Sequence, residues 1–274
     1  MDRLVVVKWG GSLGARPHGG SGPADLAAGV LGLLAAGYRP LLVHGGGPEI
    51  TRLSQRLGLE ARFDQGMRVT DEPTLEAVIM ALAGTVSTRL VASLVQTGVP
   101  AVGLSGVDGG LLRARPADPA GRLGLVGEVG AVDATPLEAL FTAGLVPVVA
   151  PLALGPAGPL NVNADLAAAE LAGQMAAGHL VLLTDVNGVV VEGALRQRVR
   201  ISEVDGLVAA GQVQGGMIPK LDACRRAVAA GVGRAHILPG AAVLHLAAVL
   251  TGEAPDHLKG TVIETGEGGE AHVA

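Results

Sequence analysis

The sequence predicts an α/β fold, a three-layer αβα sandwich whose central sheet is mainly parallel. Short aliphatic runs, beginning with residues 4–7 and 40–43, alternate with helical patterns along the whole chain. Such alternation favours parallel strands that are joined by helical crossovers. The strand-like runs are continuously apolar, which is typical of strands buried on both faces of a sheet.

Composition limits the class of protein. The 274 residues are 49% apolar and 16% charged, so the chain can bury a large core and is not disordered over most of its length. A net charge of −5 argues against a nucleic-acid partner. Two Phe, one Trp and one Tyr offer few rings on which bases could stack. The 43 glycines point to loops where backbone closely approaches a ligand.

The cytoplasm is the expected compartment. The apolar run after Arg3 extends for four residues before Lys8, which is too short for a signal peptide. No stretch is expected to span a membrane. Cys224 is the single cysteine, so no disulfide can form within the chain, and its helical context favours a buried thiol.

Apolar runs and helix breakers give the elements of the first half. They predict, in order, a strand over 4–7, a flexible loop over 14–23, a helix over 24–36, a strand over 40–43, a glycine turn over 44–48, a helix over 49–57 and a hairpin over 62–69. Thr70 or Asp71 then caps a long helix that runs to about Gln96.

The second half continues the alternation. The predicted elements are a strand over 101–104, a loop over 113–121, a short strand over 123–126, a helix over 138–143, a strand over 146–150, a helix over 166–177, a strand over 179–183, a helix over 202–211, a helix that ends near 230, a strand over 235–238, a helix over 243–250, an edge strand over 259–263 and a frayed tail from 265.

Three glycine turns follow predicted strands, at residues 8–11, 44–48 and 105–110. Ligands of parallel sheets bind at the carboxyl ends of strands, and bare glycine N–H groups there can face a phosphate. Lys8 lies in the first turn, although a lysine that extends into solvent is the alternative. No Walker A loop is present, because the required Gly-Lys-Ser/Thr spacing is absent.

Four further residues suit the same chemistry. Lys220 follows two glycines in the first turn of a predicted helix, where the dipole disfavours a cation, so a nearby polyphosphate explains it better than stability does. Asn161 and Asp165 crowd the mouth of another helix, although Asp165 as a plain N-cap is the alternative. Arg68 suits a two-donor contact with a carboxylate, or is simply exposed.

Seven motifs resemble the amino-acid kinase family over about residues 5–263, and within it the members that phosphorylate acetylglutamate. Their order and spacing agree as well as their residues. The motifs occupy residues 8–11, 44–48, 66–70, 103–106, 161–165, 183–186 and 215–220.

The resemblance implies a reaction and an organisation. ATP phosphorylates the side-chain carboxylate of N-acetyl-L-glutamate in arginine biosynthesis, with Mg²⁺ bound through the ATP phosphates and not by protein side chains. An N-terminal lobe, residues 1–177, binds the amino acid and dimerises. A C-terminal lobe, residues 178–274, binds ATP. Because a carboxylate is already ionised near neutral pH, it needs charge stabilisation and positioning rather than a general base.

The resemblance also implies three groups of site residues. The catalytic group consists of two lysines that stabilise the transferred phosphoryl group, a carboxylate that holds them and one N–H donor: Lys8, Lys220, Asp165 and Gly11. Acetylglutamate is expected to bind to Gly46, Gly47, Arg68, Asn161 and Asn163. The nucleotide pocket is expected to consist of Gly10, Thr184, Asp185, Val186, Gly188, Val189, Gln212, Val213 and Gln214.

Two alternatives share this fold. A sister kinase that acts on carrier-bound α-aminoadipate would share the catalytic residues but should need a basic rim, for which residues 103–125 offer Arg113, Arg115 and Arg122. A non-catalytic amino-acid sensor is disfavoured by the intact lysines. The resemblance further implies a homodimer that arginine does not inhibit, because the three residues before Leu4 cannot form the N-terminal helix of arginine-inhibited members.

Overall fold

The computed structural model describes residues 3–11, 22–64 and 66–266. Its strands are β1 (Leu4–Trp9), β2 (Arg39–His44), β3 (Phe63–Asp64), β4 (Met67–Arg68), β5 (Ala101–Ser105), β6 (Leu112–Pro116), β7 (Val126–Val132), β8 (Val146–Ala150), β9 (Leu152–Leu154), β10 (Pro159–Val162), β11 (His179–Thr184), β12 (Val190–Val191), β13 (Ala194–Leu195), β14 (Arg198–Arg200), β15 (Arg234–Pro239) and β16 (Thr261–Glu264). The predicted loop over 14–23 lies mostly outside the described residues, as does the tail beyond Gly266.

Nine α-helices lie within the described part of the chain. They are α1 (Pro23–Ala35), α2 (Gly47–Arg56), α3 (Glu72–Ile79), α4 (Ser87–Gln96), α5 (Thr135–Thr142), α6 (Ala164–Gln174), α7 (Ile201–Ala209), α8 (Met217–Ala229) and α9 (Leu246–Thr251). A π-helical segment, Met80–Val86, joins α3 to α4, and short 3₁₀ turns occupy Asp108–Gly110, Gly240–His245 and Asp256–Leu258.

Eight strands form one central sheet in the order β14-β16-β15-β11-β1-β2-β8-β5. Every neighbouring pair is parallel except β15 and β16, which confirms the predicted mainly parallel sheet. All six residues of β1 are buried, as its continuous apolar run predicts for a strand at the centre of a sheet.

Helices cover both faces of this sheet and complete the predicted three layers. One apolar cluster joins one face to α6, α7 and α8, and includes Val6, Ala168 and Cys224. The other joins the opposite face to α1, α4 and α9. Cys224 is fully buried, so the prediction of a buried cysteine is confirmed. Burial also raises the pKa of its thiol.

One loop prediction and one strand prediction are wrong in the stretch after β5. The expected loop over 113–121 contains β6, and the expected strand over 123–126 begins only at Val126 as β7. These strands join β9 and β10 in a small closed barrel. β6 carries exposed charges and pairs with distant residues, so its local pattern does not distinguish it from a loop.

The predicted edge strand over 259–263 is also misplaced in the sheet. It forms β16, which lies between β15 and β14, and β14 is the edge strand. β14 contains three residues. A strand that short has no detectable alternation of its own, and its pairing with β16 forms it.

The long helix predicted after Asp71 is confirmed. Its N-terminal cap is the Asp71 carboxylate, which accepts a hydrogen bond from the backbone N–H of Thr74 at 3.0 Å. By length and mean hydropathy, 1.8, the continuous helix Glu72–Gln96 could cross a membrane, so the expectation that no stretch approaches a membrane span is corrected. It packs against α1, α2, β5 and β8, as a helix of a globular fold does. Only 33% of its apolar window is buried, which leaves an apolar face open.

Two glycines of α1 give a matched test of how α1 packs against the 3₁₀ turn Gly240–His245. A Cβ atom at Gly29 would overlap the carbonyl oxygen of Val243, whereas a Cβ atom at Gly32 would meet nothing within 4 Å. We expect Gly29→Ala to lower the free energy of unfolding by about 1–3 kcal/mol, since backbone must move. Gly32→Ala should raise it by up to about 1 kcal/mol through helix propensity. Urea unfolding of both variants measures the difference, and equal effects would contradict the α1 packing.

Candidate active site

The centre of the site is one buried carboxylate between two lysines. Lys8 Nζ lies 2.7 Å from Asp165 Oδ1, and Lys220 Nζ lies 2.7 Å from Asp165 Oδ2. The three side chains are 9%, 16% and 6% exposed for Lys8, Lys220 and Asp165. Two ammonium groups that share one carboxylate leave a net positive charge, which favours an anionic ligand.

Three elements bring these residues together. Lys8 lies near the carboxyl end of β1, Asp165 is the second residue of α6, and Lys220 is in the first turn of α8. α6 packs against both α8 and β1, which sets the lysines on opposite sides of the carboxylate. The structure therefore brings together residues that lie up to 212 positions apart in the sequence (220 − 8).

Burial and the lysines act in opposite directions on Asp165. Burial alone would raise its pKa, but the charges of Lys8 and Lys220 outweigh burial and hold the pKa at about 2. The pKa of Lys8 is lowered, first by burial and then by the charge of Lys220, despite the attraction of Asp165. Burial is the largest cause of this lowering, and the second cation beside the shared carboxylate adds to it, so the attraction of Asp165 does not raise the pKa of Lys8 as it would in an exposed ion pair.

Asn163, and not Asp165, caps helix α6. The Asn163 side-chain oxygen accepts hydrogen bonds from the N–H groups of Asp165 and Leu166, at 2.8 and 3.2 Å. The alternative interpretation of Asp165 as the N-cap is therefore wrong. Because Asn163 satisfies the helix end, the Asp165 carboxylate is left for the two lysines.

Two glycine turns approach each other next to Lys8. A Cβ atom on Gly11 would lie 2.8 Å from the backbone nitrogen of Gly46, and one on Gly46 would overlap the side chain of Leu82. The Gly45 N–H donates to the Trp9 carbonyl at 2.9 Å. Glycine is required at position 11 because backbone packs on backbone there, whereas at position 46 it leaves room for the Leu82 side chain.

A cavity of about 330 Å³ lies on one side of the lysines. It collects the predicted acetylglutamate residues Gly46, Gly47, Arg68, Asn161 and Asn163, together with Lys8, Gly11 and Asp165. Its apolar wall was not predicted and includes Ile50, Leu82, Val126, Pro151 and Val162. These wall residues lie on separate elements, and no local signal distinguishes them from ordinary core residues.

Arg68 is buried in this cavity, so the alternative of an exposed arginine is wrong. It is 8% exposed, and its Nη2 donates to Thr51 Oγ1 at 2.6 Å and to the Gly47 carbonyl at 3.3 Å. Its Nη1 is buried with no partner among the described residues, and burial lowers the pKa of the guanidinium. Phe63 covers the guanidinium at 4.7 Å. One half of Arg68 is anchored and the other half is free for a ligand.

A second cavity, of about 400 Å³, lies on the other side of the lysines. It collects Gly10, Thr184, Asp185, Val186 and Gln214 from the predicted nucleotide group, with Lys8, Gly11 and Lys220. Lys8 and Gly11 therefore line both cavities, and the lysine pair lies at their junction.

Four predicted nucleotide residues lie outside the lining of this second cavity. Val189 is buried and donates its N–H to Thr261 Oγ1 at 2.8 Å, and Gly188 turns the chain against the same threonine. Val213 belongs to the core cluster, and Gln212 contacts Glu192 on the surface.

The described residues contain no group of three or more His, Cys, Asp or Glu side chains arranged to hold a metal ion. Among the described residues, the side chains that give the site its positive charge are Lys8, Lys220 and Arg68. A mainly parallel sheet with a lysine pair between two cavities suits a kinase of small molecules.

The chain belongs to the amino acid kinase family, whose model matches residues 3–239. Proteins named acetylglutamate kinase are similar over most of their length: that of Symbiobacterium thermophilum is 45% identical over 254 residues, 87% of this chain and 84% of the relative. That of Methanopyrus kandleri is 52% identical over 207 residues, 72% of this chain and 84% of the relative.

Solved structures have the same fold. A Streptococcus mutans UA159 protein gives a TM-score of 0.81 at 28% identity, over 97% of this chain and 100% of that one. N-acetylglutamate synthase of Neisseria gonorrhoeae, complexed with coenzyme A and N-acetyl-glutamate, gives 0.80 at 29% identity, over 95% of this chain and 59% of that one. Carbamate kinase of Giardia lamblia, at 15% identity and a TM-score of 0.71, shares the fold.

The shared carboxylate makes a prediction about stability. Asp165→Asn would leave two buried ammonium groups without a counter-ion, so we expect the free energy of unfolding near neutral pH to fall by about 3–5 kcal/mol. The control is Glu138→Gln, which removes an exposed ion pair with Arg39 at 3.1 Å and should cost less than about 1 kcal/mol. Urea unfolding measures both changes.

The difference in stability between wild type and Asp165→Asn should also depend on pH, in a direction that the pKa of Asp165 determines. The folded-state pKa of Asp165, about 2, lies below the roughly 3.9 of an unfolded chain. Its stabilisation is therefore complete above about pH 4 and is lost as the pH falls through about 2. The difference in stability between wild type and Asp165→Asn should shrink over that range, and a constant difference would contradict the assignment.

Proposed function

We propose that this chain transfers the γ-phosphoryl group of ATP to the side-chain carboxylate of N-acetyl-L-glutamate, which gives N-acetyl-L-glutamyl 5-phosphate for arginine biosynthesis. The observation that carries the proposal is the position of the Lys8–Asp165–Lys220 group, at the junction of two cavities of suitable size for an amino acid and a nucleotide. The names of the similar curated proteins support the choice of substrate.

Charge in the first cavity favours an amino acid whose amine is blocked. Its charged lining consists of Lys8, Arg68 and Asp165, and both oxygens of Asp165 already contact lysines. The free amine of glutamate would carry a positive charge into a cavity whose described lining has no free carboxylate for it. An N-acyl group removes that charge, while two substrate carboxylates remain to meet Arg68 and the lysines.

The second cavity is proposed to hold ATP. Thr184, Asp185, Val186 and Gln214 form its walls, and Gly10 and Gly11 bring bare backbone to its junction with the first cavity. Magnesium is proposed to bind through the ATP phosphates, where it neutralises their charge. The remaining predicted residues, Gly188, Val189, Gln212 and Val213, are proposed to support these walls.

The reaction needs position and charge more than proton transfer. A carboxylate oxygen of the substrate forms a bond to the γ-phosphorus as the bond from that phosphorus to the ADP oxygen breaks, and ADP leaves with the electron pair. Lys8 and Lys220 face the charge on the transferred group, Asp165 holds both ammonium groups in place, and the Gly11 N–H donates to the same group. Arg68, Asn161 and Asn163 orient the acceptor.

We also propose the two lobes, residues 1–177 for the amino acid and 178–274 for ATP, and a cytoplasmic homodimer. A cavity of about 510 Å³ lies between α4 and the edge strand β5, and the long helix exposes Met80 and Val95 at 46% and 52%. A second copy that pairs along this edge would cover the apolar face.

The carrier-bound aminoadipate alternative is not favoured. Of the three arginines that could form a basic rim, Arg115 pairs with Glu128 at 2.9 Å and Arg122 with Asp118 at 3.0 Å. The charge of Arg122 is therefore paired, and that of Arg115 is partly compensated by a carboxylate that it shares with Arg226. The curated relatives are named for acetylglutamate, and no feature of the described residues supports a non-catalytic sensor over an enzyme.

The first prediction from this proposal is activity with the free amino acid. Incubation with ATP, Mg²⁺ and N-acetyl-L-glutamate should give an acyl phosphate that hydroxylamine traps as a hydroxamate. Free L-glutamate should be at least about 100-fold poorer in kcat/KM, because its ammonium group finds no counter-ion. Turnover with carrier-bound aminoadipate alone would replace this proposal with the sister activity.

A second prediction concerns Arg68. Arg68→Lys should raise the KM for acetylglutamate about tenfold or more with kcat nearly unchanged, because an ammonium group cannot bind Thr51 and a carboxylate with one planar fork. Arg89→Lys, an exposed arginine 3.8 Å from Glu49, is the control and should leave that KM unchanged. Steady-state kinetics distinguish the outcomes, and an unaltered KM in Arg68→Lys would remove Arg68 from the substrate site.

A further inference from the structure

Thr70 is a buried residue that contacts two of the proposed substrate-binding residues but does not itself line the cavity that they line. Its side chain is fully buried. Its Oγ1 donates to the Arg68 carbonyl at 2.9 Å, and Asn161 Nδ2 donates to the same Oγ1 at 3.1 Å. One hydroxyl therefore joins Arg68 to Asn161, which lies 91 residues further along the chain.

The backbone around Thr70 strengthens this junction. The Thr70 N–H donates to the Leu123 carbonyl at 3.0 Å, and the Leu125 N–H donates to the Thr70 carbonyl at 2.6 Å. Leu125 in turn accepts from the Asn161 N–H at 2.9 Å. Between them, Gly124 adopts a left-handed φ of +63°, and a Cβ atom there would overlap the Thr70 carbonyl oxygen. The β3–β4 hairpin, which carries Arg68, and β10, which carries Asn161, are thus both hydrogen-bonded to the segment 123–125, the hairpin through Thr70.

Hydrogen counting fixes which way the Asn161 amide points. A carbonyl oxygen can only accept, so the single hydrogen of the Thr70 hydroxyl is donated to Arg68. Toward Asn161 the hydroxyl can then only accept, and Asn161 must present its NH₂ group. The other end of the amide, Oδ1, is left toward the cavity that Asn161 lines. Asn161 consequently offers the ligand an acceptor and not a donor.

We propose that Thr70 is a positioning residue that fixes the polarity of the Asn161 amide and the placement of Arg68, so that Asn161 Oδ1 accepts the amide N–H of an N-acyl amino acid. This inference rests on the proposed function. It adds a means of substrate selection. In an analogue without that N–H, the replacing atom would place a lone pair against the lone pair of Asn161 Oδ1, and the two would repel each other. Thr70 acts through Arg68 and Asn161 and does not touch the substrate.

The first experiment removes the hydroxyl at constant shape. Thr70→Val should raise the KM for acetylglutamate about 10- to 100-fold and leave the KM for ATP unchanged. Thr70→Ser keeps the hydroxyl and should restore the KM to within about threefold of wild type. Equal KM values in Thr70→Val and wild type would overturn the proposal.

A matched control is available in the other half of the chain. Thr261 is also fully buried, and its Oγ1 accepts from the Val189 N–H at 2.8 Å and donates to the Arg196 carbonyl at 2.6 Å. Thr261→Val should lower the melting temperature as much as Thr70→Val does but leave the acetylglutamate KM unchanged. If it raises that KM equally, the Thr70 effect is general destabilisation and the proposal fails.

The decisive readout compares two acceptors. In 2-acetoxyglutarate an ester oxygen replaces the amide N–H of acetylglutamate. Wild type should prefer the amide by at least about 100-fold in kcat/KM, because two acceptors would otherwise face each other. In Thr70→Val the Asn161 amide is free to reverse, so the preference should fall to about tenfold or less. A destabilised but otherwise normal site would keep the full preference.

The outcomes distinguish a failure of this inference from a failure of the proposed function on which it rests. No hydroxamate from wild type with acetylglutamate and ATP would refute the proposed function. Turnover of acetylglutamate with an equal rate for the ester would leave the function standing and overturn the amide polarity. This wild-type comparison requires no variant to fold. Undiminished preference in folded Thr70→Val would overturn the role of Thr70.

Discussion

The sharing of one buried carboxylate by two ammonium groups is the constraint on which the rest of the structure depends. Asp165 can hold Lys8 and Lys220 only if β1, α6 and α8 meet at one point. The excess positive charge is costly in a buried site. This cost would be offset by a strongly anionic group between the two cavities, as the proposed phosphoryl transfer requires.

The glycine turns complete this arrangement because they remove side chains from the junction. A Cβ atom on Gly11 would meet the backbone of Gly46, and a Cβ atom on Gly46 would overlap the side chain of Leu82. The result is a wall of backbone beside Lys8. In the proposed reaction this wall would bring N–H groups near the transferred group without reorganisation as charge develops, and it would leave little protein between the two ligands.

The general fold and the central residues could be predicted because their signals are local. Apolar runs located β1, β2, β8 and β11, and Lys8, Asp165 and Lys220 each lie beside glycines or at a helix start. β6 and β14 were missed because pairing with distant strands forms them. The link from Thr70 to Asn161 and the apolar wall around Leu82 arise only from tertiary packing. The capping role of Asn163 lay beyond the sequence because Asn and Asp both suit that position.

The burial of Cys224 has a practical consequence for studies of motion. The thiol is on α8, one turn beyond Lys220, and is fully enclosed with a raised pKa, so thiol reagents cannot reach a thiolate in the folded protein. Because Cys224 is the only cysteine of the chain, any thiol labelling of the wild-type protein reports on this one residue. Its labelling rate measures how often α8 separates from the core, and a cysteine introduced elsewhere on the surface can be labelled selectively without removing it.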